Sequence, residues 1–178
     1  PTVLHNLICS NVVRETITQA GGVAVRTPVG HSLIKDEMAR TRAVFGAEHS
    51  AHYYFRDFFG ADSGMLAALH VLAELGHSSL SLGELASDYM PYVQSGELNT
   101  RVEDVDAVVA RIESAYADYS IDRLDGLSVL GPTEGDSMWW FNVRASNTEP
   151  LLRLNVEAGS PDTLARVTAQ VQALIAGS

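Results

Sequence analysis

Short apolar runs alternate with helix-period segments through the opening part of the chain, and this alternation restricts that part to an α/β layer. Thr2-Val-Leu-His-Asn-Leu-Ile-Cys9 is short and apolar, as a buried strand is. Ser10 or Asn11 caps a helix from Val12 to Ala20, which Gly21-Gly22 ends. Val23 to Thr27 reads as a second strand. A second helix starts at Ser32, carries Leu33, Ile34 and Met38 on one face, and ends near Arg42. His52 to Phe55 is predicted as a third strand, and Asp62-Ser63 as the cap of an apolar helix from Gly64 to Leu75, stopped at Gly76. The expected architecture is a mixed, mostly parallel sheet with helices.

The pattern changes after Met90-Pro91, which gives an expected boundary between domains at residues 1–91 and 92–178. Tyr92 to Val102 alternates weakly, as an edge strand does. Asp104 to Ala117 has a helical period, and Ile121–Leu124 and Leu127–Leu130 flank an Asp125-Gly126 hairpin signal. Met138 to Val143 and Leu151 to Val156 are strand candidates on either side of a polar loop. Ser160-Pro-Asp opens a last helix. This second block reads as α+β, an antiparallel sheet plus helices. Trp139 and Trp140 are adjacent in a strand, so one is expected in the core and the other on the second face of the sheet.

Composition narrows the function. With 12 Lys+Arg against 22 Asp+Glu, the chain carries a net charge of −10 and lacks the broad basic surface that nucleic-acid backbones require. No apolar stretch approaches the roughly 18 residues needed to cross a bilayer. The single cysteine, Cys9, excludes an internal disulfide and fits a reducing, cytoplasmic compartment. A chain this acidic repels anionic ligands at long range, so any phosphate site has to be built locally, from a few side chains and backbone N–H groups aimed at one spot.

Three clusters meet that condition. Arg144-Ala-Ser-Asn-Thr-Glu-Pro150 joins two strands; Arg144 offers a fork matched to phosphate oxygens, Ser146 and Thr148 hydroxyls, and Asn147 an amide. The competing reading is a polar hairpin. Glu48, Ser50 and His52 alternate ahead of the third strand, so their side chains are expected to project to one side. A carboxylate and a hydroxyl suit sugar hydroxyls, and a histidine suits phosphate or proton transfer near neutral pH. The competing reading is a solvated loop, or a metal site on His49 and His52, for which no further ligand is suitably spaced. In Gly30-His31-Ser-Leu-Ile-Lys35, His31 stands at a strand-to-helix junction, where α/β sheets carry ligand residues or where it serves as a structural cap.

In this order and spacing, Gly30-His-Ser-Leu-Ile-Lys35, Glu48-His-Ser-Ala-His52 and Arg144-Ala-Ser-Asn-Thr-Glu-Pro150 resemble the α-D-phosphohexomutase family, nearest its bacterial phosphomannomutase/phosphoglucomutase branch. Tyr53-Tyr-Phe-Arg-Asp57 and Asp62-Ser-Gly64 extend the likeness over almost the whole chain. The resemblance implies an N-terminally truncated third domain followed by the TATA-binding-protein-like fourth domain. It also implies a reaction that interconverts hexose 6-phosphate and hexose 1-phosphate through a hexose 1,6-bisphosphate intermediate, with Mg²⁺ as cofactor and mannose or glucose phosphates as ligands. By the same resemblance, Glu48 and Ser50 hold sugar hydroxyls, His31 and His52 line the cleft with possible auxiliary roles, and Arg144, Ser146, Asn147 and Thr148 grip the phosphate that is not reacting.

Two positions depart from the family pattern. Ala51 stands where the family has glycine, and Ile8 where it has lysine. Asn147 favours the mannose/glucose branch over phosphoglucosamine mutases, which usually have glycine there. The family's phosphoserine segment and its aspartate-rich Mg²⁺ segment are absent from the chain, so no catalytic or metal-ligating residue is expected in it. The resemblance therefore predicts a fragment of a longer mutase, inactive alone. The alternatives are a free-standing phosphosugar-binding module and a phosphoglucosamine mutase fragment.

Overall fold

The computed structural model describes residues 1–146, 149 and 151–177, and the chain divides into two compact units, Pro1–Pro91 and Tyr92–Ser178. In the first unit, β1 (Thr2–Asn6), α1 (Asn11–Gln19), β2 (Val23–Thr27), α2 (His31–Thr41), β3 (Phe45–Ala47), β4 (Tyr53–Phe55), β5 (Ala61–Asp62), α3 (Gly64–His77) and α4 (Leu82–Ser87) follow one another. The sheet order is β2-β1-β3-β4-β5, with β1 parallel to β2 and β3, and the pairs β3–β4 and β4–β5 antiparallel. The sheet is mixed, as the sequence pattern predicts, with two parallel and two antiparallel strand pairs.

Strand β3 is the central element that the sequence pattern hides. It is three residues long with Gly46 at its centre, so neither strand length nor β-branched residues signal it. Gly46 packs closely under α2: a Cβ there would lie 3.1 Å from the Met38 sulfur and 3.3 Å from Ile34 Cδ1, both on the inner face of that helix. Leu4, Ile34, Met38, Ala43 and Tyr54 form the buried core of this unit. Helix α1 is capped by the Ser10 hydroxyl, which accepts from Val12 N–H. Helix α3 runs past Gly76 to His77, and Ser63 alone caps it, its hydroxyl accepting from Leu66 N–H. Asp62 is free of that duty and belongs to the site described below.

The second unit comprises β6 (Val93–Arg101), α5 (Val105–Ala115), β7 (Ser120–Asp122), β8 (Leu127–Leu130), β9 (Trp139–Ala145), β10 (Leu151–Ala158) and α6 (Pro161–Ala176). The sheet is antiparallel throughout, in the order β6-β10-β9-β8-β7. Strict alternation on its central strands decides which side is core. Trp139, Phe141 and Val143 of β9 and Leu152, Leu154 and Val156 of β10 pack with Val108, Ile112, Val167, Val171 and Ile175 of the two helices. The intervening residues, Trp140, Asn142 and Arg144 on β9 and Arg153, Asn155 and Glu157 on β10, share the opposite face. Trp139 is thus the core tryptophan, and Trp140 donates its indole N–H to Glu157 Oε1 across 2.8 Å on the second face.

Candidate functional site

The first cluster is built where the β3–β4 hairpin meets the start of α2. Ala47 pairs with Tyr53, Glu48 N–H donates to His52 O, and Ala51 N–H donates to Glu48 O, which closes a tight turn over residues 48–52. This corrects the expected alternation of Glu48, Ser50 and His52. The segment is a reversing turn, so Ser50 sits exposed at its tip while Glu48 turns inward and is buried. Ala51 takes φ 65°, the left-handed region that glycine occupies without cost.

Both oxygens of Glu48 are engaged. Oε1 accepts from the Tyr54 hydroxyl at 2.6 Å, and Oε2 accepts from Gly30 N–H at 3.2 Å. Gly30 holds φ 151°, ψ 131°, a conformation closed to side chains with a Cβ, and it delivers its N–H to the carboxylate just ahead of α2. Tyr54 is fully buried, and burial, followed by the neighbouring Glu48 carboxylate, pushes its phenol well above the usual range.

His31 Nδ1 lies 2.8 Å from the same Tyr54 oxygen. A phenol has one proton, and the carboxylate takes it, so His31 Nδ1–H is the donor and Nε2 of the neutral ring keeps its lone pair. His52 is fixed in a parallel way. Its Nδ1 is 2.7 Å from Asp62 Oδ2, whose other oxygen accepts from Tyr53 N–H at 2.9 Å. The Asp62 hydrogen bond raises the His52 imidazole above its ordinary value, and the same bond lowers the Asp62 carboxyl. The two imidazole rings stand 5.9 Å apart, edge to face. Two histidines are thus held with their Nδ1 atoms committed and their Nε2 atoms left to act as bases or, once protonated, as donors to an anion.

At the C-terminal end of β1, Asn6 Oδ1 accepts from Cys9 Sγ–H and, at 3.4 Å, from His49 N–H, tying the 48–52 turn to the sheet. Tyr54, Asp62 and Asn6 escaped the sequence reading. Tyr54 looked like one more apolar strand residue, and Asp62 looked like a helix cap.

The second cluster lies on the polar face of the other sheet, at the mouth of the β9–β10 connection. Arg144 is the last residue but one of β9, and its guanidinium NH2 lies 3.2 Å from Glu97 Oε2 of β6. Arg153 of β10 sets NH1 3.2 Å from Glu97 Oε1 and donates NH2 to the Ser146 hydroxyl at 3.2 Å. Ser146 N–H donates to Leu151 O, which pins the base of the loop. Asn147 and Thr148 lie outside the described residues. Arg144 is thus linked to Glu97 and the Ser146 hydroxyl to Arg153, and neither Arg153 nor Glu97 belongs to the motif.

His31, His52 and Asp62 form the group, among the described residues, whose possible metal-ligand atoms all lie within 4.8 Å of one another. The group does not fit Mg²⁺, which takes a shell of oxygen ligands, whereas two of the three donors here are imidazoles and both Asp62 oxygens already hold hydrogen bonds. No helix among the described residues is long and apolar enough to cross a membrane.

An evenly mixed sheet with paired histidines, followed by an antiparallel sheet with paired arginines, defines a two-unit α/β and α+β protein with one polar cluster on each unit. Residues 1–92 match the family model for phosphoglucomutase/phosphomannomutase alpha/beta/alpha domain III, and residues 97–174 match that for the phosphoglucomutase/phosphomannomutase C-terminal domain. The chain is 37% identical over 174 residues to a phosphomannomutase of Methanocaldococcus jannaschii, covering 98% of this chain and 38% of that protein. It is 44% identical over 159 residues to a phosphomannomutase of Salmonella montevideo, covering 88% and 34%. A phosphoglucomutase/phosphomannomutase family protein from Burkholderia thailandensis superposes with TM-score 0.82 at 24% identity, over 99% of this chain and 37% of that one, a likeness that speaks for the fold. The chain belongs to the phosphoglucomutase/phosphomannomutase family and corresponds to its C-terminal part. It spans little more than a third of the length of the curated relatives it matches.

Proposed function

We propose that this chain supplies the sugar-hydroxyl and distal-phosphate binding of a phosphomannomutase/phosphoglucomutase that interconverts hexose 6-phosphate and hexose 1-phosphate through a hexose 1,6-bisphosphate. The observation that carries the reading is the Glu48–Tyr54–His31 relay beside the His52–Asp62 pair, which commits each Nδ1 and leaves each Nε2 for a ligand. Glu48 sits at the buried end of that relay. Its contribution to sugar binding is to fix Tyr54, Gly30 and through them His31, with any hydroxyl accepted on its remaining lone pairs. Ser50 offers its hydroxyl from the exposed tip of the turn. His31 and His52 donate to an anionic oxygen when protonated or accept a hydroxyl proton when neutral.

In the second unit, Arg144 and Ser146, with Asn147 and Thr148 of the same motif, hold the phosphate that does not react. Mg²⁺ and the phosphoserine donor belong to segments that this sequence lacks, so the 178 residues bind without turning substrate over. The reading is supported by the names of the relatives, which are phosphomannomutases over nearly the whole of this chain.

The test is an NMR titration of the chain with mannose 1-phosphate. Amide shifts are expected at Arg144 to Thr148 and at His31 and His52, and Arg144→Ala abolishes the former set. Absence of any shift at about 20 mM ligand, far above typical substrate affinities, rejects the reading. A coupled assay with the chain alone is expected to show no turnover, and measurable mutase activity would overturn the assignment of catalysis to other segments.

A further inference from the structure

Arg144 and Arg153 are direct partners in the β9–β10 ladder and point to the same face of the sheet. Like charges directly opposite one another destabilise a strand pair, so the arrangement calls for a compensating anion. Glu97 supplies one carboxylate for two guanidinium groups. It reaches each at 3.2 Å, longer than the roughly 2.7–2.9 Å of a well-formed charge-assisted bond. Shared between them, it gives each guanidinium a single oxygen. The Nε atoms of both arginines are buried and find no hydrogen-bond partner among the described residues. The Arg144 side chain is only 11% exposed. Two forks, one shared carboxylate and two unused buried donors leave a net positive charge and free hydrogen-bonding capacity beside the Ser146 hydroxyl. That combination matches a dianionic phosphate group, which brings two charges and several acceptor oxygens.

Resting on the reading that this loop binds the phosphate of a phosphosugar, we propose that Arg153 is a second phosphate-binding residue and that Glu97 is an internal counter-ion displaced by the ligand. In the free protein Glu97 holds both guanidinium groups in register and offsets their repulsion. When the phosphate enters, its oxygens take over the two forks. The Glu97 side chain, 30% exposed, turns out toward water. Glu97 therefore competes with the ligand for the same donors.

Titration of the 178-residue chain with mannose 1-phosphate, and with inorganic phosphate as a second probe, separates the possibilities. Arg153→Gln is expected to weaken binding of both probes at least about tenfold, and Arg153→Lys, which keeps the charge but loses the fork, to recover only part of it. Glu97→Gln, which removes the competing charge and leaves the shape, is expected to tighten binding several-fold. The Trp139 indole signal reports whether each variant keeps its core. Should Arg153→Gln fail to fold, Glu97→Gln decides alone. Binding that is lost in Arg144→Ala but unchanged in Arg153→Gln, or that weakens in Glu97→Gln, overturns this proposal and leaves the phosphate-loop reading standing. Failure of the unmodified chain to bind either probe removes both.

Discussion

The Tyr54 hydroxyl donates to Glu48 Oε1 across 2.6 Å inside the first unit, and the hydroxyl oxygen itself accepts from His31 Nδ1 at 2.8 Å. A buried phenol thus sets the tautomer of a histidine it does not neighbour in sequence. Tyr54→Phe removes both links while keeping the ring. It leaves Glu48 Oε1 without that donor, at a cost of about 1–3 kcal/mol on the usual scale for an unsatisfied buried group. Urea denaturation measures the loss. Long-range ¹H–¹⁵N correlations of the His31 ring should show the Nδ1–H form losing its dominance. An unchanged tautomer would mean that the phenol does not orient the ring.

Ala51 stands at φ 65°. The left-handed region costs a residue with a Cβ about 1–2 kcal/mol, and glycine's extra freedom in the unfolded chain offsets about 0.4–1 of that. Ala51→Gly is expected to stabilise the chain by about 0.5–1 kcal/mol, read as a higher urea midpoint at constant slope. A lower midpoint would contradict the turn geometry.

The pH response of the site follows from the His52–Asp62 pair. The folded-state value of His52 is raised, so its contribution to stability is complete below the ordinary imidazole value and is lost as pH climbs through the raised one. That of Asp62 is lowered, so its share is present above the ordinary carboxyl value and is lost as pH falls through the depressed one. The pair therefore helps most in mildly acidic solution. His5 acts in the opposite sense: burial lowers it, and having to charge it weakens folding as pH drops below the ordinary imidazole value. Histidine C–H titrations should find His52 above and His5 below a free imidazole, with Asp62→Asn returning His52 toward the ordinary value.

Trp140 reports on the polar face of the second sheet. Its indole N–H reaches Glu157 Oε1, and Gln94 Nε2 donates to Oε2 at 2.9 Å, around a carboxylate that is only 1% exposed. Trp140→Phe withdraws one donor from a buried charge and is expected to cost about 1–3 kcal/mol. Trp140→Phe should leave the Trp139 emission of the core unchanged; a shift there would mean that the two faces are not separate.

Regular elements with a clean period were readable from the chain. Alternation in Trp139–Val143 and Leu151–Val156, the Asp125-Gly126 turn and the Ser160-Pro161 cap each carry a local physical signal, and the corresponding strands, hairpin and helix are present. Strand β3 was not readable, because it is three residues long and centred on Gly46, whose close neighbours Met38 and Ile34 lie on a different element. The site divides in the same way. His31, His52 and Arg144 stood out by residue type and motif. Tyr54, Asp62 and Arg153 did not, because what marks them is a partner outside their own strand: Glu48 and His31 for the phenol, His52 for the carboxylate, and Glu97 for the guanidinium. The reversal at 48–52 likewise depends on pairing between β3 and β4, which a reading of alternation along one strand cannot see.

The two-sided pattern of β10 carries a further consequence for how the loop before it is held. A slip of one residue along the ladder would drive Arg153, Asn155 and Glu157 into the space now filled by Leu152, Leu154 and Val156, against the two helices. Unpaired ions in that space cost far more than any alternative pairing could return. The charges on the polar face also forbid the strand from sliding, so the facing pair Arg144 and Arg153 is indexed by the core behind it.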